Sequence, residues 1–253
     1  MFFCHLEEIT DETWKDRRDA LLNLHGDAET DHWFRMYHRD PYARARVMKA
    51  TRLLLHFLKP GNTVLDVGCY TQEAKKYLPY DVKYVGVDGE SFHKDTVVMD
   101  LNCPITLPPF QYALCLETLE HLIHPSQILQ DIVRGLQEEG RLVVSLPNEA
   151  TIFHRLRSML GTVDAECFSD KGKHLHLPSL RQARELLSKS LQVERELYYI
   201  APSGEGSRQA WLGKVLRFVP DCVHQWLADS WPSLFARGWI FLLKTRPSSQ
   251  SNS

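Results

Sequence analysis

The stretch that decides the fold is residues 62–73, Asn62-Thr-Val-Leu-Asp-Val-Gly-Cys-Tyr-Thr-Gln-Glu73. Its apolar run begins just after Pro60 and Gly61 and ends at Gly68, which is typical of a buried parallel strand that turns sharply into a helix. Asp66 interrupts this run, and a carboxylate there is costly to desolvate unless a cation or a hydrogen-bond donor meets it. Ligands of open α/β sheets bind beyond this end of the strands, so Asp66 is a candidate site residue.

The same pattern, an apolar run that ends in an acidic residue, recurs farther along the chain. It is found at 83–88, 96–100 and 112–117, and a fifth run at 141–146 follows a helix predicted from about 125 to 136. Strands that alternate with helices at this spacing indicate right-handed βαβ units and a parallel sheet. Because four of the five runs carry an acid near their end, the sequence predicts a polar crevice along one edge of the sheet.

Further elements are predicted on both sides of these runs. Apolar residues at helical spacing predict a helix over 42–58. Its basic residues are interpreted as a solvated face rather than as an anion-binding patch. They are Arg44, Arg46, Lys49 and Arg52. Ser179 and Gln182 fit a capping box that opens a later helix, and two more strands are predicted at 191–200 and 238–244.

Length, composition and charge favour one elaborated domain. The chain has 253 residues, of which 43% are hydrophobic and 10% aromatic, so it can bury a sizeable core. The formal net charge of -2 provides no bulk attraction to nucleic acid or to an anionic membrane. We therefore expect no nucleic-acid partner.

The cysteines and the first residues of the chain predict its compartment. The six cysteines are scattered without a C-x-x-C pair, which favours reduced thiols in the cytosol over a disulfide or metal role. No apolar stretch approaches the roughly 18 residues of a membrane span. Glu7 and Glu8 stand where a signal peptide would be apolar. We therefore expect a cytoplasmic protein.

The acidic crevice argues against a dinucleotide site. A pyrophosphate group needs backbone amides from a G-x-G-x-x-G turn, and only Gly68 of that pattern is present. Carboxylates would also repel the phosphates. The arrangement instead favours a ligand that has hydroxyl groups to donate and a positive charge, so an NAD-dependent oxidoreductase is the weaker hypothesis.

Five motifs follow one another in a distinctive order. They are Val64-Leu-Asp-Val-Gly-Cys69, Val85-Gly-Val-Asp88, Met99-Asp-Leu101, Leu116-Glu-Thr-Leu-Glu-His121 and Gly140-Arg-Leu-Val-Val-Ser-Leu-Pro-Asn148. Together they resemble the class I S-adenosylmethionine-dependent methyltransferases. The resemblance runs from about 40 to 245 and is closest to the bacterial branch that includes the ubiquinone-biosynthesis O-methyltransferase and the MetW-type proteins.

This resemblance implies a fold and a cofactor. The fold class is α/β, with a Rossmann-like seven-stranded, mostly parallel sheet, helices on both faces and an antiparallel last strand at the sheet edge. The cofactor is S-adenosyl-L-methionine, whose ammonium, sulfonium and ribose diol all suit carboxylate partners. Its adenine ring would be buried against apolar side chains.

The resemblance also implies the residues that bind the cofactor. Asp66 and Gly68 would lie along the methionine moiety, and Asp88 would accept hydrogen bonds from both ribose hydroxyls. Asp100 would meet the adenine amino group, with Leu101 against the ring. The predicted cofactor site is completed by two more residues, Tyr70 and Glu117.

The turn after the first strand departs from the family pattern. Tyr70 and Gln72 stand where the second and third glycines are expected, although glycine there lets the backbone approach the ligand and adopt unusual dihedral angles. Tyr70 would either project its ring over the cofactor or partly fill the site. The second alternative leads to a second hypothesis, a methyltransferase-like protein without turnover.

The candidate catalytic residues are Glu117, His121 and His174. Glu117, Glu120 and His121 follow the fourth strand, at the rim where the methyl group would be presented, and histidine has a suitable pKa for a base. The alternative for His121 is a helix-start histidine, with Glu120 as a capping acid. No metal site is predicted, because His124 lies nearby without enough further ligands.

A lid over the acceptor is expected at 147–178. Within it, His174 and His176 would project to the same side of an extended segment. One of them is a candidate base or acceptor-binding group, and the alternative is that both are ordinary lid residues.

The predicted domain organisation has three parts: an N-terminal helical cap over 1–60, a methyltransferase domain over 61–245 and a disordered polar tail over 246–253. The domain includes a helical insertion at 203–237, expected to pack on the sheet or lid. The alternative is that its tryptophans form a lipid- or partner-facing surface, with peripheral membrane contact through 207–231.

The sequence thus predicts S-adenosylmethionine-dependent methyl transfer to a hydroxyl oxygen. The expected acceptor is a small molecule, a glycan or a lipid-linked compound. The choice among these stays open, because acceptor contacts come from the lid and the termini rather than from the fold.

Overall fold

The computed structural model describes residues 41–161, 174–200 and 220–246, and these contain a seven-stranded sheet. The strands are β1 (Thr63–Val67), β2 (Lys83–Asp88), β3 (Val97–Val98), β4 (Phe110–Leu116), β5 (Leu136–Pro147), β6 (Leu191–Tyr199) and β7 (Gly238–Thr245). Their order across the sheet is β3-β2-β1-β4-β5-β7-β6. The first five strands pair in parallel, which confirms the predicted parallel sheet, but β2, β3 and β4 follow one another without an intervening helix.

The last strand is antiparallel, as predicted, but the prediction that it lies at the sheet edge is wrong. β7 pairs with β5 on one side and with β6 on the other, so β6 is the edge strand. Residues Trp239, Ile240 and Phe241 are fully buried, as expected of a strand covered on both faces. β6 instead exposes polar residues such as Gln192 and Glu194, which suit an edge.

Helices cover both faces of the sheet. They are α1 (Pro41–Leu55), α2 (Pro125–Gly135), α3 (Ile152–Met159), α4 (Leu180–Ser188), α5 (Asp221–Ser230) and α6 (Pro232–Phe235). On one face, α1 buries Leu54 in a core that includes Val64 of β1. On the other, α2 and α4 bury Ile132 and Leu187 against Leu65. Because adjacent strand residues project to opposite faces, β1 contributes to both cores.

Two predicted elements are shorter than expected. The helix after β1 is a five-residue 3-10 helix, Glu73–Tyr77, because a left-handed Gln72 delays its start and Pro79 ends it. The strand predicted at 96–100 is reduced to Val97–Val98, both exposed at the sheet edge. Its apolar residues therefore indicate an edge strand and not a buried one.

The capping box is confirmed, since the Ser179 hydroxyl accepts a hydrogen bond from the Gln182 amide and the Gln182 side chain accepts one from the Ser179 amide. Residues 1–40, 162–173, 201–219 and 247–253 lie outside the described residues. The N-terminal cap, much of the lid, part of the helical insertion and the tail therefore stay predictions.

The described part of the helical insertion comprises α5 and α6. α5 packs against β6. Ala228 of α5 is buried, and Gln225 Nε2 donates to the Tyr198 carbonyl at 2.9 Å. Val223 and Trp226 are exposed, so α5 buries only part of its apolar side chains. Within the described ranges, no helix is long and apolar enough to cross a membrane.

Asn148 joins the end of β5 to the connection between α6 and β7. Its buried side-chain Nδ2 donates to the Ala236 carbonyl at 2.8 Å and to the carbonyls of Pro232 and Ser233 at 3.3 Å. Its backbone amide donates to the Arg237 carbonyl at 2.9 Å. A side chain with hydrogen-bond donors is therefore needed at this position.

We expect Asn148→Asp to lower the free energy of unfolding by about 3 kcal/mol, because a carboxylate would face three carbonyl oxygens with no donor. Urea denaturation at pH 7 measures this change. Asn62→Asp is the matched control, since Asn62 Oδ1 accepts from the Lys59 amide at 2.7 Å and aspartate keeps that acceptor. The control should change stability by less than about 0.5 kcal/mol. Equal costs at the two positions would contradict the role given to Asn148.

Candidate functional site

The predicted acidic residues meet at one edge of the sheet. Asp66 is the penultimate residue of β1, Asp88 ends β2, Asp100 comes two residues after β3 and Glu117 directly follows β4. These strands are parallel neighbours, so their carboxyl ends share the same edge. The recurring sequence pattern therefore corresponds to a real cluster of acids.

The turn after β1 folds back over the end of β2. The amides of Gly68 and Cys69 donate to the Val87 carbonyl at 2.8 and 3.2 Å, and the Tyr70 amide donates to Asp88 Oδ2 at 2.7 Å. Asp88 is thereby held in one orientation. A carboxylate has about four acceptor positions, so Asp88 retains capacity to accept from a ligand hydroxyl.

This turn keeps a glycine-like backbone without the glycines. The φ angles of Gly68, Tyr70 and Gln72 are 74°, 42° and 56°. A left-handed conformation costs a side-chain-bearing residue about 1–2 kcal/mol. Two contacts offset that cost: the Tyr70 ring lies 4.5 Å from the Phe92 ring, and Gln72 Nε2 donates to Thr96 Oγ1 at 3.1 Å.

Asp66 is buried next to Tyr84. Its residue exposure is 3%, and Tyr84 donates its hydroxyl proton to Asp66 Oδ2 at 2.5 Å. The pKa of Asp66 is raised to about 7, mainly by burial; the Tyr84 hydrogen bond lowers it, and the nearby Asp88 adds a smaller upward contribution. Asp66 can therefore lose its proton near neutral pH when a cationic group compensates its charge.

Asp100 and Leu101 lie next to Asp88, since the Met99 amide donates to the Asp88 carbonyl at 2.9 Å. Asp100 is exposed, and the hydrogen bonds from the Asn102 amide and the Cys103 thiol lower the pKa of its carboxyl group. Leu101 is buried in the core beneath it. An exposed acid above a buried leucine is compatible with the adenine site that the resemblance implies.

Glu117 is held by two partners. Tyr199 donates its hydroxyl proton to Glu117 Oε1 at 2.7 Å, and Arg46 Nη1 lies 2.8 Å from Glu117 Oε2. The prediction that the basic residues of α1 are solvated is therefore wrong for Arg46, which is 4% exposed. The physical reason is its position beside Val47, on the border of the stripe that packs onto the sheet. Arg52, in contrast, is exposed as predicted.

A second group of side chains lies beyond Glu117. His121 Nε2 is 3.9 Å from Glu120 Oε1, the rings of His121 and His174 are 4.9 Å apart, and His174 Nδ1 is 3.7 Å from Glu149 Oε1. The structure thus brings together the two candidate bases, which are 53 positions apart in the sequence. We call Glu120, His121 and His174 the Glu-His-His cluster.

The backbone fixes this cluster. The amides of Leu175 and His176 donate to the Glu120 carbonyl at 2.7 and 3.1 Å, and His176 Nε2 is within hydrogen-bond distance, 2.9 Å, of the Leu122 carbonyl. His176 is therefore engaged elsewhere, and only His174 of the two lid histidines joins the cluster. A cavity of about 260 Å³, lined by Glu120, His176 and mainly apolar side chains, lies beside it.

Two residues of this region were not predicted as site residues. Glu120 was considered only as a capping acid, but it is 1% exposed, and burial together with nearby Glu117 raises its pKa well above the usual value. Glu149 lies two residues after the end of β5, so it extends to the fifth parallel strand the pattern of an acid near the strand end. That pattern was the signal that could have identified it.

Comparison with known proteins shows the family. A sequence model described as a methyltransferase domain matches residues 36–190, more than half of the chain. The chain therefore belongs to this methyltransferase domain family, which confirms the predicted class. No curated protein sequence matches the chain.

Solved structures share the fold. A methyltransferase from Thermotoga maritima, titled a possible histamine N-methyltransferase, has 12% identity and a TM-score of 0.55, covering 90% of this chain and 99% of its own. An Archaeoglobus fulgidus methyltransferase has 14% identity and a TM-score of 0.54, covering 85% and 100%. The N-methyltransferase NodS from Bradyrhizobium japonicum, solved with S-adenosyl-L-homocysteine, has 13% identity and a TM-score of 0.53, covering 91% and 99%.

The turn after β1 yields a prediction about Gly68. An added Cβ would overlap the Thr118 side chain, and φ is also positive there, so Gly68→Ala carries both a steric and a conformational cost. Gly61→Ala is the matched control, because its φ is +79° and nothing lies within 4 Å of an added Cβ. We expect Gly61→Ala to lower the free energy of unfolding by about 1 kcal/mol and Gly68→Ala by about 3 kcal/mol. Similar values from chemical denaturation would show that Thr118 does not constrain the turn.

The raised pKa of Asp66 yields a prediction about stability against pH. The ordinary carboxyl value is 3.8 and the folded value is about 7, so the folded state favours the protonated form. Stability contributed by that form is complete below pH 3.8 and is lost as the pH rises to about 7. Compared with Asp66→Asn, which resembles the protonated form, the wild type should lose stability over this window. A difference between the two proteins that stays constant from pH 4 to 8 would refute the shift.

Proposed function

We propose that the protein transfers the methyl group of S-adenosylmethionine to a hydroxyl oxygen of a small-molecule, glycan or lipid-linked acceptor. The observation that carries this proposal is Asp88, which ends β2 and is held by the Tyr70 amide at 2.7 Å. A carboxylate oriented in this way at the edge of a parallel sheet suits the two hydroxyls of a ribose.

The other acids match the remaining groups of the cofactor. Asp66 loses its proton when the cofactor ammonium binds nearby, which converts a costly buried acid into a favourable ion pair. Asp100 accepts from the adenine amino group, and Leu101 supplies apolar contact to the ring. Tyr70, packed on Phe92, borders the ribose side of this site.

Methyl transfer places limited demands on the protein. The sulfonium is an excellent leaving group, so catalysis requires mainly alignment of the acceptor with the methyl carbon. A hydroxyl acceptor also has to lose its proton. The Glu-His-His cluster lies next to Glu117, at the rim where the acceptor approaches, and supplies polar groups for that task. Glu117 itself is positioned by Arg46 and Tyr199.

The side chains around the Glu-His-His cluster support an organic acceptor. The cavity beside Glu120 has mainly apolar walls, including Leu146 and Leu186, and suits the body of an organic acceptor. Two of the similar structures are titled as N-methyltransferases, so the choice of oxygen rests on the histidines of this chain and not on those relatives. Membership of the ubiquinone-biosynthesis and MetW branch and a cytoplasmic location likewise stay predictions.

The alternative of a methyltransferase-like protein without turnover was prompted by the missing glycines. The positive φ angles of Tyr70 and Gln72 argue against it, because the turn adopts a glycine-like backbone without glycine. The Tyr70 side chain is also accommodated against Phe92.

Calorimetric titration with S-adenosylmethionine and S-adenosylhomocysteine tests the cofactor. We expect Asp88→Ala to weaken binding by roughly 1.5–3 kcal/mol, about 10- to 100-fold, through lost charge-assisted hydrogen bonds to the diol. Asp88→Asn should lose less, because it keeps an acceptor for the Tyr70 amide.

Asp95→Ala is the matched control for this experiment. Asp95 is an exposed acid on the same connection, paired at 3.8 Å with exposed Lys75, so its removal should leave cofactor affinity unchanged. A folded wild-type protein that binds neither compound would overturn the proposal, and binding of a nicotinamide dinucleotide instead would favour the oxidoreductase alternative.

A further inference from the structure

The Glu-His-His cluster has the composition and spacing of a metal-ligand set. Glu120, His121 and His174 each offer one ligand atom, and these atoms all lie within 4.8 Å of one another. Ligands about 2.1 Å from a metal ion are roughly 3.0–3.4 Å apart in octahedral or tetrahedral geometry. Small side-chain rotations would close the difference, and the His121 side chain is 37% exposed, which gives it room to rotate.

The backbone holds these ligand atoms together before any ion binds. Glu120 and His121 belong to the 3-10 helix Leu119–His121, and the lid segment that carries His174 is hydrogen-bonded to the Glu120 carbonyl through two amides. The convergence of the three side chains therefore does not depend on one surface rotamer.

Glu120 is the second, independent indication of a bound cation. Its side chain is 0% exposed, and among the described residues neither carboxylate oxygen has a hydrogen-bond partner. A buried carboxylate without donors is costly, and Glu117 and Glu149 add repulsion. Arg46 Nη1 pairs with Glu117 Oε2 at 2.8 Å, and its charge offsets only part of the rise in the pKa of Glu120.

The imidazole of His174 also has a buried nitrogen atom without a hydrogen bond among the described residues. Its Nδ1 is buried and makes no hydrogen bond within the described part of the chain, and Glu149 Oε1 is 3.7 Å away. An acid at this distance can orient a ligating imidazole, as carboxylates do behind histidine ligands of metal sites. Because Glu149 faces Nδ1, Nε2 is the nitrogen of His174 that remains for an ion, and the unsatisfied ligand atoms are the carboxylate oxygens of Glu120.

We propose that Glu120, His121 and His174 bind a divalent transition-metal ion, with Glu149 as the residue that orients His174. Two imidazoles and a carboxylate suit Zn²⁺, Mn²⁺, Fe²⁺ or Co²⁺, whereas Mg²⁺ and Ca²⁺ prefer sites made of oxygen ligands. This assignment replaces the sequence expectation of no metal site. That expectation considered His124, but His174, distant in sequence, supplies the missing ligand.

The ion gives the proposed methyl transfer a specific acceptor chemistry, and this part of the inference rests on the proposed function. Three protein ligands leave open coordination positions, which the acceptor hydroxyl occupies and where its proton is lost to solvent more readily. The oxygen then bonds to the methyl carbon, while the carbon–sulfur bond breaks and its electron pair returns to sulfur. His121 and His174 are ligands in this scheme and not general bases.

Direct metal titration of the full chain tests the site. The protein is stripped with a chelator, dialysed, and titrated with Co²⁺ by absorbance and with Zn²⁺ and Mg²⁺ by calorimetry. We expect one Zn²⁺ or Co²⁺ per chain and at least 100-fold weaker Mg²⁺ binding. His174→Ala and Glu120→Gln should each weaken Zn²⁺ binding at least 100-fold, and Glu149→Gln about 10-fold.

His124→Ala is the matched control, since His124 is an exposed histidine three positions from His121 and outside the cluster. It should bind Zn²⁺ as the wild type does. Thermal unfolding shows whether each variant is folded. Because Glu120→Gln removes a buried charge, this variant should melt in chelator at or above the wild-type temperature. Added Zn²⁺ should raise the melting temperature of the wild type but not of this variant.

The outcomes separate the metal site from the cofactor site. Zn²⁺ binding without S-adenosylhomocysteine binding would support the cluster and overturn the proposed function. Cofactor binding without metal binding, or metal binding that neither Glu120→Gln nor His174→Ala weakens, would overturn the metal site. Once an acceptor is found, chelator should abolish its methylation while cofactor affinity stays unchanged.

Discussion

The hydrogen bonds between the turn after β1 and the end of β2 are the constraint on which the rest of the site depends. The Gly68 and Cys69 amides reach the Val87 carbonyl, and the Tyr70 amide reaches Asp88. These bonds require the chain to turn back immediately after the strand, which a positive φ at Gly68 permits and the packed Thr118 side chain enforces. The same turn leaves Asp66 beneath it and orients Asp88 at the crevice.

Most of the fold could be predicted because its signals are local. Apolar runs of five to seven residues that end in a turn predict buried strands without knowledge of distant contacts. The position of β7 is different, because strand order depends on which strands meet in space. Its uninterrupted Trp-Ile-Phe-Leu-Leu run nevertheless favoured an interior strand, and the polar residues of β6 favoured an edge. For the positions of β6 and β7 in the sheet, composition is more informative than the family resemblance.

The candidate site could be predicted only where its residues follow strands. Asp66, Asp88, Asp100 and Glu117 obey that rule, and the parallel sheet brings them together without further information. Arg46 does not obey it. It reaches Glu117 because α1 packs across the sheet, and periodicity alone cannot show which polar residue beside an apolar stripe becomes buried. The approach of His174 to His121 likewise depends on the path of the lid.

The acids of this edge differ in how their charge is compensated, and that difference separates two functions. Burial holds the pKa of Asp66 at about 7, although the hydrogen bond from Tyr84 lowers that pKa. Asp88 accepts a hydrogen bond from the Tyr70 amide at 2.7 Å. Glu117 has Arg46. Glu120 is fully buried, accepts no hydrogen bond among the described residues and is repelled by Glu117 and Glu149, while Arg46 offsets only part of the rise in its pKa. The two buried acids therefore suit different cations: the cofactor ammonium meets Asp66 in the proposed function, and the proposed metal ion meets Glu120.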